Sequence, residues 1–421
     1  MKKIILPVIF TVSLVASNYN DFQNQYINSY NSYKTQTNQE YKSYKEALEK
    51  GFKEYKKSLN EGFKEYKKSL SKYWQNPELT TKTTFVEYSP DKKIKKKVDY
   101  KNNQIEIDVI AKNETVAKKD MAKSLISLST ENVKTAFNKN PVLKKVNAKL
   151  SQTPKLKAVI INKPVSTEPI VADMIYKTPP KPKQILDYSI NSVKKHKIIV
   201  KKSKVPNMHV YKLIIKLPPR AFLAKAKIYK NEVFNKAQKF KLPPEFIYAI
   251  IHTESSFNPM ARSYVPAFGL MQLVPQTAGV EAYKKVYGSK KILTPSYLYN
   301  ANNNILMGSA YLNILYYRYM KRIKNPISRL YCSIAAYNTG AGNVACAFNS
   351  TSKDYRGRTK CIRSRGDYNI YKASKKINQM TSAQVYDYLL KNLRYNEAKN
   401  YLKRVSKRML IYKKALSTDA L

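Results

Sequence analysis

The clearest candidate for chemistry is Glu254, in the stretch IHTESSFNPMARS at residues 251–263, where no other carboxylate lies for several residues on either side. Pro243 and Pro244 suit the opening turn of a helix, and Pro259 prevents that helix from running on. Phe246, Ile247, Ile250 and Ile251 fall eight, seven, four and three residues before Glu254, so the carboxylate shares their apolar face near the helix C-terminus. Desolvation and the helix dipole both disfavour a negative charge there. A carboxyl so placed is expected to keep its proton near neutral pH and to act as a general acid. A glutamate neutralised by one of the many lysines would meet the same pattern, and the helix alone leaves both readings open.

Other polar residues follow in turns. Gly269 can make the turn that exposes Gln272, an amide able to bond sugar hydroxyl or acetamido groups. Gly340 and Gly342 let the backbone turn sharply after Tyr337 and Asn338, so that both can face a cleft. The chain's 3 His and 3 Cys are scattered, and no metal-ligand cluster or cofactor motif appears. His252 reads as a helix-face residue.

The elements that must position Glu254 are helical. From residue 220 onward, segments such as PPEFIYAIIHTES, NANNNILMGSAYLNILYYRYM and SAQVYDYLLKN each carry an apolar stripe, and strand patterns are absent. Residues 219–421 therefore read as an all-α domain. Residues 18–218 read as an α+β domain. GFKEYKKSL occurs at 51–59 and again at 62–70, which places Phe52, Tyr55, Leu59, Phe63, Tyr66 and Leu70 on one helical stripe. That helix is expected to pack on the rest of the protein, with a membrane-surface helix as the other reading. Two-residue alternation from 83 to 110, with KNN between Tyr100 and Gln104, predicts a hairpin, and HVYKLIIKL predicts a further strand. Residues 112–150 read as helix, and 151–205, rich in Lys and Pro, as partly linker.

Lys and Arg number 78 against 28 Asp and Glu, a net charge of +50, which suits polyanionic surroundings such as nucleic acid, an anionic membrane or an anionic cell-wall polymer. AT-rich coding sequence would produce part of the same excess. MKKIILPVIFTVSLVAS, residues 1–17, has two lysines, an apolar run from Ile4 to Ala16 and small residues after it. It is expected to be a secretory signal, too short to span a bilayer comfortably. Export argues against nucleic acid as partner.

Taken in order, ESSFNP, GLMQLVPQTA, the set Asn304, Ile305, Gly308, Tyr311 and Leu312, AAYNTGAGNV, and finally NEAKNYLKRV resemble the lytic transglycosylases of the goose-lysozyme-like superfamily. The segment FVEYSPDKKIKKKVDYKNNQIEIDVI resembles the N-terminal domain of the membrane-bound C type of these enzymes. The resemblance implies a lysozyme-like catalytic domain that cleaves peptidoglycan glycan strands, with Glu254 as acid and then base. It implies that Ser263 hydrogen-bonds at the active centre and that Met271 and Gln272 lie beside the substrate's sugars. Tyr337 and Asn338 would face the catalytic carboxylate, and Tyr401 would match the tyrosine of the last helix. The other carboxylates of the helical region, Glu232, Glu245, Glu281, Asp354, Asp367, Asp387 and Glu397, match no second catalytic acid. The resemblance implies non-hydrolytic ring closure, which the residues alone do not separate from hydrolysis, with a hydrolytic muramidase or a non-catalytic wall-binding protein as alternatives.

Two departures stand out. Lipidated relatives carry a cysteine where this chain has Ser17, which implies a soluble or peripheral protein in the periplasm of a Gram-negative bacterium, with the anionic membrane surface as a further expected contact. A basic insertion at roughly 347–371 follows the glycine turn. Cys346 and Cys361 flank it and, in an oxidising compartment, are expected to form a disulfide. Oligomeric state has no signature in the sequence.

Overall fold

The computed structural model describes residues 17–152, 160–161, 163–219, 221–264, 266–418 and 420–421. The expected signal segment falls outside them, apart from Ser17. The chain divides into two units, residues 1–53 and residues 54–421. A helix, Ser17–Leu70, begins in the first and ends in the second. Within the first unit Ile27, Tyr30 and Tyr33 are exposed. Within the second, Tyr55, Leu59, Phe63 and Leu70 of the repeat's stripe are buried and Tyr66 is half-buried, while the side chain of Phe52 lies outside the described residues. Tyr55 meets the ring of Phe268 at 6.4 Å, and the Arg262 guanidinium lies 3.4 Å from the centre of the Phe63 ring.

After Trp74, whose indole N–H donates to the Lys92 carbonyl at 2.8 Å, the chain enters a five-stranded sheet. Its strands are β1 (Thr84–Tyr88), β2 (Ile94–Asp99), β3 (Gln104–Ala111), β4 (Ile198–Lys202) and β5 (His209–Lys216). The order is β1-β2-β3-β5-β4, antiparallel throughout. The hairpin forms at KNN: Asp99 pairs with Gln104, and Asn103 takes a left-handed φ of 57°. The sheet buries charge as well as hydrocarbon. Lys95 pairs with Asp108 at 2.7 Å and Lys212 with Glu106 at 2.6 Å, so some of the few carboxylates are neutralised inside the fold. Burial raises the Glu106 carboxyl, but Lys212 and Lys97 outweigh it and hold it at about 2.

Residues 112–150 are helical as expected, in Glu114–Thr130, Val133–Lys139 and Pro141–Gln152. The stretch read as partly linker holds more structure than that. It contains a helix, Pro182–Lys195, and the strand β4. The helix buries only Ile185, Ser189, Ser192 and Val193, too thin an apolar stripe to stand out. β4 is an edge strand with mostly exposed residues, so it lacks the alternation that marks a half-buried strand.

Beyond residue 220 the structure is almost wholly helical, including Pro244–Ser255, Ala301–Asn313, Pro326–Thr339 and the closing helix Asn396–Ser417. Among the described residues of this region one short strand, Ile292–Leu293, pairs in parallel with Ile160–Ile161, a small exception to the all-α expectation. The Glu254 helix packs on the closing helix through stacked rings of Tyr248 and Tyr412, 5.1 Å apart. His252 bonds the Tyr412 hydroxyl at 2.9 Å. Burial, with Arg408 next, pushes its imidazole down to about 3, so it stays neutral.

Cys346 and Cys361 are joined in a disulfide, with Cα atoms 5.7 Å apart, while Cys332 is a buried free thiol. Closing a loop of this length is worth roughly 3 kcal/mol in the chain-entropy model. Titration of the unreduced, denatured protein should find one free thiol per chain. Three would mean that the loop is open.

Candidate active site

The Glu254 helix ends abruptly. Ser256 and Phe257 both take left-handed backbone angles, φ of 51° and 65°, unusual for side chains of their kind. Phe257 is held there by complete burial against Tyr229, Tyr248 and Tyr412. The reversal leaves Glu254 on the last turn with 5% of its surface exposed. It also brings Asn258 back beneath a loop from the sheet region. The Asn258 amide donates to the carbonyls of Thr81 at 3.2 Å and Lys82 at 3.3 Å. The Lys82 ammonium, in turn, lies 3.2 Å from Glu254 Oε2. The glutamate therefore has the lysine partner that the sequence left open, and that partner comes from the other half of the chain.

Two phenols flank the carboxylate. Tyr337, on Pro326–Thr339, is partly exposed and donates its hydroxyl to the Met271 carbonyl at 2.8 Å. Tyr401, on the closing helix, is 2% exposed, and its hydroxyl has no partner of good hydrogen-bond geometry. It lies close enough to Glu254 to feel its charge. Burial, and then the Glu254 charge, push both phenols well above the ordinary tyrosine range, so both remain neutral donors.

The GLMQ turn forms the neighbouring wall. Gln272 takes φ of 48°, and its side-chain NH₂ donates to the Gly269 carbonyl at 3.0 Å. Its Oε1 is buried without a protein partner, an acceptor left for something else. Asn304 holds this turn from inside: its Oδ1 accepts from the Met271 amide at 2.8 Å, and its NH₂ donates to Phe268 and Leu298 carbonyls at 2.9 and 2.8 Å.

Of the residues singled out in the sequence, Glu254, Tyr337, Tyr401 and the Met271–Gln272 backbone come together. The Met271 side chain is fully buried and packs over Gly308 rather than facing open space. Asn338 is half-buried, one residue beyond Tyr337. The Ser263 hydroxyl accepts the Ala267 amide at 3.2 Å and borders a groove of about 890 Å³ that Lys82, Lys64, Arg262 and Tyr264 also line. Three residues gained a role only in the structure: Lys82, Asn258 and, as an internal brace, Asn304. No local pattern marks Lys82 among 78 basic residues.

Residues 231–357 match the transglycosylase SLT domain family. The chain is 37% identical over 183 residues to a membrane-bound lytic murein transglycosylase C of Actinobacillus pleuropneumoniae, a match covering 44% of this chain and 45% of the relative. It is 38% identical over 191 residues to the protein of that name from Mannheimia succiniciproducens, covering 45% and 48%. The chain thus spans about half the length of these curated relatives or slightly less. Among solved structures, the 70 kDa soluble lytic transglycosylase of Escherichia coli is 17% identical, with a TM-score of 0.31, covering 72% of this chain and 44% of that one.

Gly269 is the most constrained point of the site. It has φ of 75°, and a Cβ there would stand 2.3 Å from both the Leu298 carbonyl oxygen and the Asn304 amide. Gly269→Ala should therefore cost at least about 2 kcal/mol in urea unfolding, from strain and overpacking together. A loss under half of that would mean that the turn relaxes freely.

Proposed function

We propose that this chain is a lytic transglycosylase that cleaves peptidoglycan glycan strands between N-acetylmuramic acid and N-acetylglucosamine, leaving a 1,6-anhydro end. The observation that carries the reading is a buried carboxylate, Glu254, on a segment that matches the SLT domain family, flanked by two neutral phenols, Tyr337 within that segment and Tyr401 beyond it. Two-carboxylate glycosidases need an acid and a separate base or nucleophile. Here the charges that bear on the Tyr337 and Tyr401 hydroxyls include one carboxylate, Glu254. One carboxyl suffices when the substrate supplies the rest.

In this reading the Glu254 carboxyl gives its proton to the bridging oxygen, and the bond from that oxygen to the muramic C1 breaks. The substrate's own acetamido oxygen stabilises the electron-poor C1. Glu254, now a carboxylate, takes the proton of the 6-hydroxyl, whose oxygen closes on C1. Atoms balance without water. Tyr401 is placed to steady the carboxylate between its two proton transfers, and Tyr337 holds the GLMQ wall through the Met271 carbonyl. The free Gln272 Oε1 offers an acceptor for a sugar hydroxyl or amide N–H. Residues 219–421 carry the catalysis, and residues 18–218 contribute the loop bearing Lys82.

Digestion of purified sacculi should release muropeptides ending in 1,6-anhydro-N-acetylmuramic acid, each one water lighter than the corresponding hydrolysis product. Reducing ends instead would make the protein a hydrolytic muramidase, with Glu254 still its acid. Glu254→Gln should fold normally and turn over at least about 10²-fold more slowly. Full activity in that variant would leave Glu254 with a structural role only.

The same reading places the protein in the periplasm, held to anionic wall or lipid by its charge of +50. Among the described residues no helix is long and apolar enough to cross a membrane. Washing cell envelopes with high salt should release the protein. Release by detergent alone would point to an apolar anchor.

A further inference from the structure

The loop carrying Lys82 is fixed to the segment that follows Glu254. Besides the two bonds from Asn258, the Arg262 amide donates to the Thr81 carbonyl at 3.3 Å. Asn258 is fully buried, so the clamp is part of the core of the site. Backbone position is thereby set, while the lysine side chain keeps its freedom: it is 41% exposed, against 6% for the side chain of its partner. An exposed ion pair is worth little in itself. A carboxylate this buried is different, because it must have a counter-charge or take up a proton. Lys82 also borders the groove of about 890 Å³, which gives its four-carbon stem somewhere else to go.

We propose that Lys82 is a positioning residue for Glu254, a removable counter-ion that keeps the carboxylate ionised and aimed until an entering sugar displaces the ammonium into the groove. This rests on the glycosidic reading above. The order of events follows from the chemistry. An acid catalyst must hold a proton when it meets the bridging oxygen, and an ammonium in contact favours the form without one. Once the sugar takes the place of the ammonium, the counter-charge is gone and the apolar helix face favours the acid form, which takes its proton from solvent. Among the described residues, the titratable groups that the structure shows acting on or feeling Glu254 are Lys82 from the loop, Tyr337 from Pro326–Thr339 and Tyr401 from the closing helix, with Arg404 acting on Tyr401. Of the three that face it, only Lys82 is charged.

Lys82→Met removes the charge and keeps most of the stem; Lys82→Arg keeps the charge. Two readouts separate this idea from the activity it rests on. The first is kcat/KM for muropeptide release as a function of pH. The second is the carboxyl ¹³C titration of Glu254, identified by its loss in Glu254→Gln, with melting curves to confirm that each variant is folded. In Lys82→Met the alkaline limb and the carboxyl titration should both move up by at least about half a pH unit, because the acid form has lost its competitor. Lys82→Arg should follow the wild type. A Lys82→Met protein with wild-type limb and titration would overturn the proposal. If the wild type releases no muropeptide at all, the glycosidic reading fails, and the carboxyl titration alone still decides whether Lys82 governs Glu254.

Discussion

The site is organised around the cost of keeping one carboxylate out of water. Glu254 ends an apolar helix face that is otherwise Phe246, Ile247, Ile250 and Ile251, all fully buried. Nothing in its own helix offers compensation, and the dipole there opposes its charge. Compensation comes instead from the ammonium of Lys82, 172 residues away, while the neutral phenols of Tyr337 and Tyr401 flank the same carboxylate. Each of those is held by something else. Lys82 depends on Asn258, Tyr337 on the Met271 carbonyl, and Tyr401 on a closing helix that packs against the Glu254 helix. The surrounding architecture is what it takes to hold those three side chains around one charge.

The sheet region therefore does more than accompany the helical one. Thr81 and Lys82 lie just before β1, and both reach the segment after Glu254 through main-chain carbonyls. Main-chain acceptors tolerate side-chain change, so the clamp constrains the path of the loop more than its composition. The buried stripe of the repeat helix supports the same junction, with Tyr55 against Phe268 and Phe63 under Arg262.

How much of this was legible in sequence depends on range. The Glu254 helix, its proline start and its buried face follow from local periodicity, and so do the hairpin at KNN and the stripe of Tyr55, Leu59, Phe63 and Leu70. β4 was not legible, because an edge strand with exposed faces has no alternation to detect. Lys82 was not legible either, for a different reason. A lysine 172 residues away is chosen by topology, and one basic residue in a strongly basic chain carries no mark. The orphan Gln272 Oε1 lies between these cases: a turn glutamine was expected to face a ligand, but only the geometry leaves its oxygen unpaired while its nitrogen is bonded.

The pairing of Cys346 with Cys361 also says something about when this protein acquires its covalent form. A chain with 3 cysteines admits three alternative single disulfides, and two of them would involve Cys332. In the folded protein Cys332 is wholly enclosed, and burial drives its thiol far from the thiolate state that attacks a disulfide. Oxidation that waits for the helix Pro326–Thr339 to pack has one outcome. Oxidation of a still unfolded chain has three, two of which would trap that helix outside the core. Correct pairing is thus a matter of sequence in time, with packing first and oxidant second, and a slow oxidant would serve this chain better than a fast one.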